Sequence, residues 1–442
     1  MRRSLFQLAA CSRTGLSVSG RQFRSYLYHQ ALRHISDQKK DHGDPLRILF
    51  CGSDWFSAAS LRALYKFSQC PDSNILSIDV VTRNDKRVGR GFKIIKAPPI
   101  KGVALDLGLP IHQIDTFTGW DPPQYAEQTS PNINLIVAVS FGLFIPPRIL
   151  TQSKYSGLNV HPSMLPDLRG AGPIQWTILQ GRTTTGVTLQ TLHHRRFDEG
   201  TILDQTPAPG LAIPNPDEIT GSQLTALLAP IGAKMLVDGI RNRVYIPPHV
   251  PILAPGTEST TPLAHAPKIP AALHAIDFET LPGIDILRRS RTISPLRTWA
   301  KRILGDNIQI KLDGDMRAST TEDIPGSVTA KASLIPPGIP YAIVPANKKI
   351  YHSDKPLIVN TVPGPMGEIR RIVIPSITVA SMKPGPGAAA AARAGLFLPD
   401  PLCVEYYKLY YFRSALSVPG MATSPGAAER QPDSTLAPLS SG

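Results

Sequence analysis

PLRILFCGSDWFSAASLRALYKF, residues 45 to 67, sets the pattern for the folded part of the chain. LRILF is an apolar run of buried-strand length, closed by Gly52-Ser53-Asp54. A helical pattern follows through Phe56, Leu61, Leu64 and Phe67, with Ser53 or Asp54 placed to cap its first turn. Further strand-like runs are ILSIDVVT (75–82), NLIVAVSF (134–141), GLNV (157–160) and TGVTLQTL (185–192). Strands alternating with helical stretches predict an α/β domain with a largely parallel sheet. A ligand site then belongs at the carboxyl ends of its strands. The first turn is not Gly-x-Gly-x-x-Gly, so dinucleotide binding has little support.

Working outward, residues 1 to 36 carry six arginines, several serines and no acid before Asp37. Leu5, Phe6, Leu8 and Leu16 can share one face of an amphipathic helix, the composition of a mitochondrial transit peptide. The transit peptide and a flexible arm are placed at 1–43 and the first domain at 44–245, closing on the helical pattern of 220–240. Residues 246–275 are too rich in proline for a long regular element and read as an interdomain linker. Beyond it, ILRRSRTISPLRTWAKRIL reads as a basic helix broken near Ser294-Pro295. NIQIKL, YAIVPA, KIYHS, PLIVNTV and IRRIVIPSITVA then predict a small β-barrel or sandwich over 276–412. A disordered tail occupies 413–442.

At 442 residues with a 42% hydrophobic fraction, the chain has room for two ordinary domains plus tails. No run approaches the roughly eighteen apolar residues of a spanning helix, so the reading is a soluble protein. Net charge is +14, with basic clusters far from the N-terminus, so nucleic acid is the first candidate partner. A generally basic organelle proteome explains the charge equally well. The four cysteines show no paired spacing, which speaks against a disulfide framework or a metal site.

The residues with chemistry lie in GLNVHPSMLPDLRGAGPIQ, 157 to 175. Residues two apart on a strand face one side, so Asn159 and His161 point together, and Pro162 and Pro166 end the strand abruptly. Asn and His can donate to a carbonyl that becomes an oxyanion, and His can move protons near neutral pH. The carboxylate such a pair lacks is offered by Asp198, in the Phe-Asp-Glu-Gly turn of TGVTLQTLHHRRFDEGTIL. The trio suits acyl-group chemistry in which the nucleophile arrives as a substrate amine. A lone Asn-x-His at a strand end is more often structural, and an Asp before Glu-Gly more often only a turn residue. His193 and His194 face opposite sides of a strand with no evident third ligand, so no metal is expected.

NVHPSMLPDLRGAGPIQW and TGVTLQTLHHRRFDEGTIL together resemble the signature of the folate-dependent formyltransferases, from about Arg47 to Ile240. The resemblance resumes thinly at AHAPKI, AIDF and SRTISPLRTWA. It implies a Rossmann-like, largely parallel α/β formyltransferase domain followed by a small, mostly-β, OB-like barrel domain. It implies Asn159, His161 and Asp198 as the catalytic triad. Ser163, Met164, Leu165 and Pro166 map to a folate-contacting segment, and Ser140, Phe141, Gly142 and Leu143 to the pterin pocket. Met164 replaces a usual leucine, and Arg195 and Arg196 stand where the family has a small or apolar pair. The implied donor is 10-formyltetrahydrofolate and the implied acceptor the α-amine of methionine on initiator tRNA. A monomer in the mitochondrial matrix, without metal or membrane, completes the expectation.

TRNDKRVGRGFKIIKAPPIK, 82 to 101, places Arg83, Lys86, Arg87, Arg90 and Lys93 around two glycines. A basic loop by itself is usually solvated surface. The resemblance aligns it with an insertion that reaches a tRNA acceptor stem. Arg288, Arg289, Arg291, Arg297, Lys301 and Arg302 form a second cluster. Three other readings stay open: a non-catalytic basic RNA-binding protein, a formyltransferase acting on a small-molecule amine, and a hydrolase releasing formate.

Overall fold

The computed structural model describes residues 44–124, 132–252, 263–302, 305–364, 371–397, 402–404 and 407–412. The transit segment expected at 1–43 and the tail expected at 413–442 lie outside the described residues. The chain divides into two compact units, Met1–Lys268 and Ile269–Gly442.

The first unit is built on β1, Leu46–Gly52, whose seven residues are all buried. A strand buried on both faces belongs at the centre of a helix-covered sheet. β1 pairs in parallel with β2, Ile75–Thr82, on one side and with the Leu135–Val139 strand on the other. Between β1 and β2 runs α1, Trp55–Ser68, capped by the Asp54 carboxylate accepting from Ser57 N–H at 3.0 Å. After β2 come the short hairpin β3, Lys86–Val88, and β4, Ile94–Lys96, then α2, Pro99–Asp106, and β5, Ile111–Gln113. Next are β6, the Leu135–Val139 strand, α3, Pro147–Gln152, β7, Gly157–His161, and α4, Pro173–Leu179. β8, Thr184–Thr185, β9, Thr188–Thr191, β10, Ile202–Gln205, β11, Leu211–Ala212, and α5, Gly221–Arg241, follow.

The main sheet has seven strands in the order β10-β9-β7-β6-β1-β2-β5. Five are mutually parallel, and β9 enters antiparallel beside β7. This is the expected largely parallel sheet with one reversal, and the reversal matters for the site. β6 and β7 end side by side, Val139 opposite Val160, so the loops that follow both open at one sheet edge.

α5 starts at a capping box formed by Thr220 and Gln223. An 18-residue window within its 21 residues reaches a mean hydropathy of 1.2, enough by length and composition alone to cross a bilayer, which refines the expectation that no such run exists. Its apolar face packs instead on α1 and the sheet: Leu224, Leu228, Leu236 and Ile240 share one core with Phe56, Val160 and Leu189.

The second unit holds a four-stranded and a six-stranded sheet, with every pairing antiparallel. The small β domain expected from the closely spaced strands is therefore present. Two local expectations need correction. The basic helix runs only over Gly283–Ile293, and Leu296–Lys301 is a strand paired with Asn307–Asp313. Pro295 lacks the N–H to carry a helix onward, and a partner strand was within reach. KIYHS forms a 3-10 turn at Ile350–His352, not a strand. The alanine run at 387–393 makes a short helix with Ala388 to Ala392 buried, where only small side chains let the backbone sit close.

Gly232 marks a close approach of α5 to α1 and β7: a Cβ there would sit 2.8 Å from Phe56 Cζ and 3.1 Å from Val160 Cγ1. Gly232→Ala gains about 1 kcal/mol of helix propensity but overpacks by about 1–3 kcal/mol. We expect net destabilisation of roughly 1 kcal/mol by urea unfolding; a more stable variant would show that the contact relaxes freely.

Candidate active site

β7 carries Asn159 and His161 to the edge where Pro162 stops the ladder, and both side chains line one cavity. Asp198 reaches the same point from the turn after β9, at a positive φ of 55° that directs its carboxylate back toward the sheet. Asp198 Oδ1 accepts from Asn159 Nδ2 at 3.1 Å and Gln190 Nε2 at 3.3 Å, and lies 3.3 Å from His161 Nδ1. Its Oδ2 accepts from Gly170 N–H at 2.9 Å. The His161 and Asp198 side chains are each only 6% exposed. A carboxylate so shielded needs these donors to stay charged without a large desolvation penalty.

His161 Nε2 lies 3.0 Å from the Leu168 carbonyl. A carbonyl can only accept, so Nε2 carries a hydrogen. Nδ1 then faces Asp198, and the pair shares whatever further proton is present between Nδ1 and the carboxylate. The amide of Asn159 has two hydrogens and Asp198 engages one, leaving the other for an oxygen in the cavity. Ser140, Thr191 and Thr225 bring hydroxyls to this cavity, while Ser163 and Cys51 do not line it. Ser163 is buried with its hydroxyl donating to the Asp167 carbonyl, and burial pushes the Cys51 thiol well above its usual value.

The cavity has a volume of about 340 Å³. Phe141, Leu143, Ile145, Leu150, Ile174 and Leu192 give it apolar surface, and its polar lining includes Gln175, Gln190, His193 and Arg196 besides Asn159, His161 and Asp198. Asp54 also lines it. The residue is exposed overall, yet desolvation of its carboxyl raises its pKa, opposed by hydrogen bonds from Ser57 and Ser140.

Of the residues singled out in the sequence, the structure brings Ser140, Phe141, Gly142 and Leu143 to this cavity with Asn159, His161 and Asp198. Ser140 and Gly142 take positive φ of 47° and 75°, which folds the loop over the end of β6. Ser163, Met164, Leu165 and Pro166 do not line it. They turn into the fold: Leu165 N–H donates to Thr188 Oγ1 at 3.1 Å, and Met164 packs over Gly186 and Gly210.

Arg83 lies against Asp115 at 3.2 Å, while Lys86, Arg87 and Lys93 are exposed on or beside the β3–β4 hairpin and Arg90 opens its 3-10 turn. Phe92, Ile94 and Ile95 on the same hairpin are each more than 60% exposed. In the second unit Arg288, Arg289 and Arg291 lie on the Gly283–Ile293 helix, all half-buried. Arg288 sits 3.5 Å from Asp285, and Arg289 donates to the Ala275 carbonyl at 3.2 Å, its pKa lowered by burial. His193 Nδ1 accepts from the N–H groups of Arg195 and Arg196, so it closes a local turn.

Sequence reading passed over Gln190, which is buried directly opposite Asn159 in the β7–β9 register. A polar amide inside a buried strand was the available signal. It also passed over two backbone groups, Leu168 C=O and Gly170 N–H, for which no side-chain signal exists.

Comparison with known proteins finds the formyl transferase family model matching residues 46–226. The chain is 33% identical over 299 residues to the mitochondrial methionyl-tRNA formyltransferase of Saccharomyces cerevisiae, covering 60% of this chain and 72% of that one. It is 31% identical to the mitochondrial enzyme of Bos taurus, covering 64% and 68%. With the methionyl-tRNA formyltransferase of Chromohalobacter salexigens it shares 30% identity, covering 65% and 82%.

Gln190 Oε1 also accepts from Gly200 N–H at 3.1 Å, tying the Asp198 turn to β9 from both ends. Gln190→Leu keeps the volume but leaves Gly200 N–H and one Asp198 lone pair without a partner. We expect a loss of about 1–3 kcal/mol in unfolding free energy, read by denaturant titration; an unchanged midpoint would show the turn holds without it.

Proposed function

The chain belongs to the formyl transferase family, a family of formyl-transferring enzymes, and we propose that it moves the formyl group of 10-formyltetrahydrofolate onto the α-amine of methionyl initiator tRNA in mitochondria. The observation that carries this reading is the convergence of Asn159 and His161 on Asp198 at an apolar-walled cavity. The apolar walls suit the flat face of a reduced pterin, with the formyl group toward the polar side chains. The donor brings an electrophilic formyl carbon already activated for transfer.

Asn159 gives its remaining amide hydrogen to the formyl oxygen as the amine adds and charge develops there. Because His161 Nε2–H is committed to Leu168, protons pass through Nδ1. The His161–Asp198 pair takes a proton from the attacking amine and returns one to the departing folate nitrogen. One C–N bond forms, one breaks, and the enzyme ends as it began. The 3.3 Å separation of Nδ1 and Oδ1 is loose enough for that exchange, and such contacts tighten when substrate arrives. Ser140 to Leu143 line the folate side, and Ser163 to Pro166 act by holding β7 and β9 in register.

For the acceptor, the exposed Lys86, Arg87 and Lys93 of the hairpin meet tRNA phosphates, with Arg83 and Arg90 beside them. Arg288, Arg289 and Arg291 in the second unit serve RNA less directly, since two of them also hold their own helix in place. Residues 44–245 carry the chemistry, and 276–412 contribute to holding tRNA.

Purified protein supplied with the formyl donor and methionyl initiator tRNA should yield formylmethionyl-tRNA; transfer only to a small-molecule amine, or release of formate alone, would overturn the assignment. Asn159→Ala and His161→Ala should each lower kcat by roughly 100- to 1000-fold while tRNA binding persists. Lys86→Ala, Arg87→Ala and Lys93→Ala combined should weaken tRNA binding and flatten its salt dependence by roughly one unit of log–log slope per lost phosphate contact. An unchanged slope would remove the hairpin from the RNA interface.

A further inference from the structure

The loop between β7 and α4 supplies both fixed points of the His161–Asp198 pair: Leu168 C=O on one side and Gly170 N–H on the other. What holds that loop comes from about a hundred residues downstream, after the family match at 46–226 has ended. Leu168 N–H donates to the Ala264 carbonyl at 2.8 Å, and Ala266 N–H to the Arg169 carbonyl at 2.8 Å. Arg169 and His265 thereby form a parallel bridge, and Gly172 N–H adds a bond to the Ala266 carbonyl at 3.0 Å. Two side chains lock the ends: Asp167 Oδ1 accepts from Ala264 N–H at 2.8 Å, and Trp176 Nε1–H donates to the Pro267 carbonyl at 2.7 Å. Contact is tight enough that a Cβ on Gly170 would lie 2.4 Å from the Ala266 carbonyl oxygen.

We propose that residues 263–267 form a positioning strap for the acid–base pair, with Asp167 as its side-chain anchor. This rests on the catalytic reading of His161 and Asp198 given above. Without the strap, the loop N–H groups of Leu168 and Gly172 and the carbonyl of Arg169 lose their partners, and the loop that carries Leu168 C=O and Gly170 N–H is free to shift. Even a displacement of about 1 Å at such a point can lower a rate by on the order of a hundredfold. Pro267 favours an extended strap with little freedom to lose. The stretch read from sequence as a linker thus contains, at its far end, a segment hydrogen-bonded to the site. Asp167 also meets Arg182 at 3.5 Å, but that pair is partly exposed and contributes little.

The test compares Asp167→Ala, Asp167→Asn and Trp176→Phe in the full chain. Asn keeps an oxygen that can accept from Ala264 N–H, and Phe keeps the ring while removing only the N–H. We expect Asp167→Ala to lower kcat about tenfold at unchanged KM for tRNA, to shift the pH–rate profile, and to be rescued to within about twofold by Asp167→Asn. Trp176→Phe should fall between. Nitrogen-15 spectra of labelled histidine should show the His161 Nε2 signal moved in Asp167→Ala and restored in Asp167→Asn. That spectrum is read without turnover, so it judges the strap even if the acceptor proves not to be methionyl-tRNA. A wild-type His161 signal and kcat in Asp167→Ala would overturn the proposal. So would a rise in KM at constant kcat, or equal losses in Asp167→Ala and Asp167→Asn that follow a common fall in Tm.

Discussion

A single buried carboxylate organises the site. Asp198 gathers an asparagine amide and the edge of an imidazole from β7, a glutamine amide from β9 and a backbone N–H from the loop before α4. Shielded to 6% exposure, it would be costly to keep charged if these partners were absent. Their arrival from β7, β9 and the loop before α4 therefore couples the stability of the fold to the geometry of the chemistry. The same constraint selects the tautomer of His161, because Leu168 can only accept and so claims the hydrogen on Nε2.

The sheet supplies this arrangement through one change of direction. Parallel pairing of β6 with β7 brings the Ser140–Leu143 loop beside Asn159 and His161. Antiparallel entry of β9 then sets Gln190 opposite Asn159 and Thr188 opposite His161. β9 ends at Thr191 opposite Leu158, so the turn that bears Asp198 leaves near the start of β7 and folds back to reach Asn159 and His161. Thr188 also receives Leu165 N–H and donates to the Ser163 carbonyl, which explains why the segment after His161 is buried in the fold and does not face the cavity.

Much of the framework was legible because strands and amphipathic helices advertise their faces through side-chain period. LRILF, NLIVAVSF and GLNV are strands, and Asp54 caps the helix that follows the first of them. The two-residue period also predicted that Asn159 and His161 share one side, as their common cavity requires. Failures fell where local pattern and partner competed. Leu296–Lys301 has a helical look in isolation, but an available antiparallel neighbour made it a strand. KIYHS looked like a strand and became a turn. The alanine run carried no periodicity by which a helix could be told from a flexible segment.

By itself the sequence determined the class of fold, the basic stretch at 82–101 and the resemblance that pointed to formyl transfer. Only the tertiary structure decided that Gln190 donates to Asp198 and that Ser163 and Leu165 share hydrogen bonds with Thr188. It alone decided that residues near 265 hold the loop beside His161. The reason is physical. Apolar period and charge are properties of side chains, and these are written in the sequence. The backbone N–H and C=O groups that fix the His161 tautomer, the Asp198 carboxylate and the strap are almost the same in every residue. Which of them meet is settled only when distant segments pack.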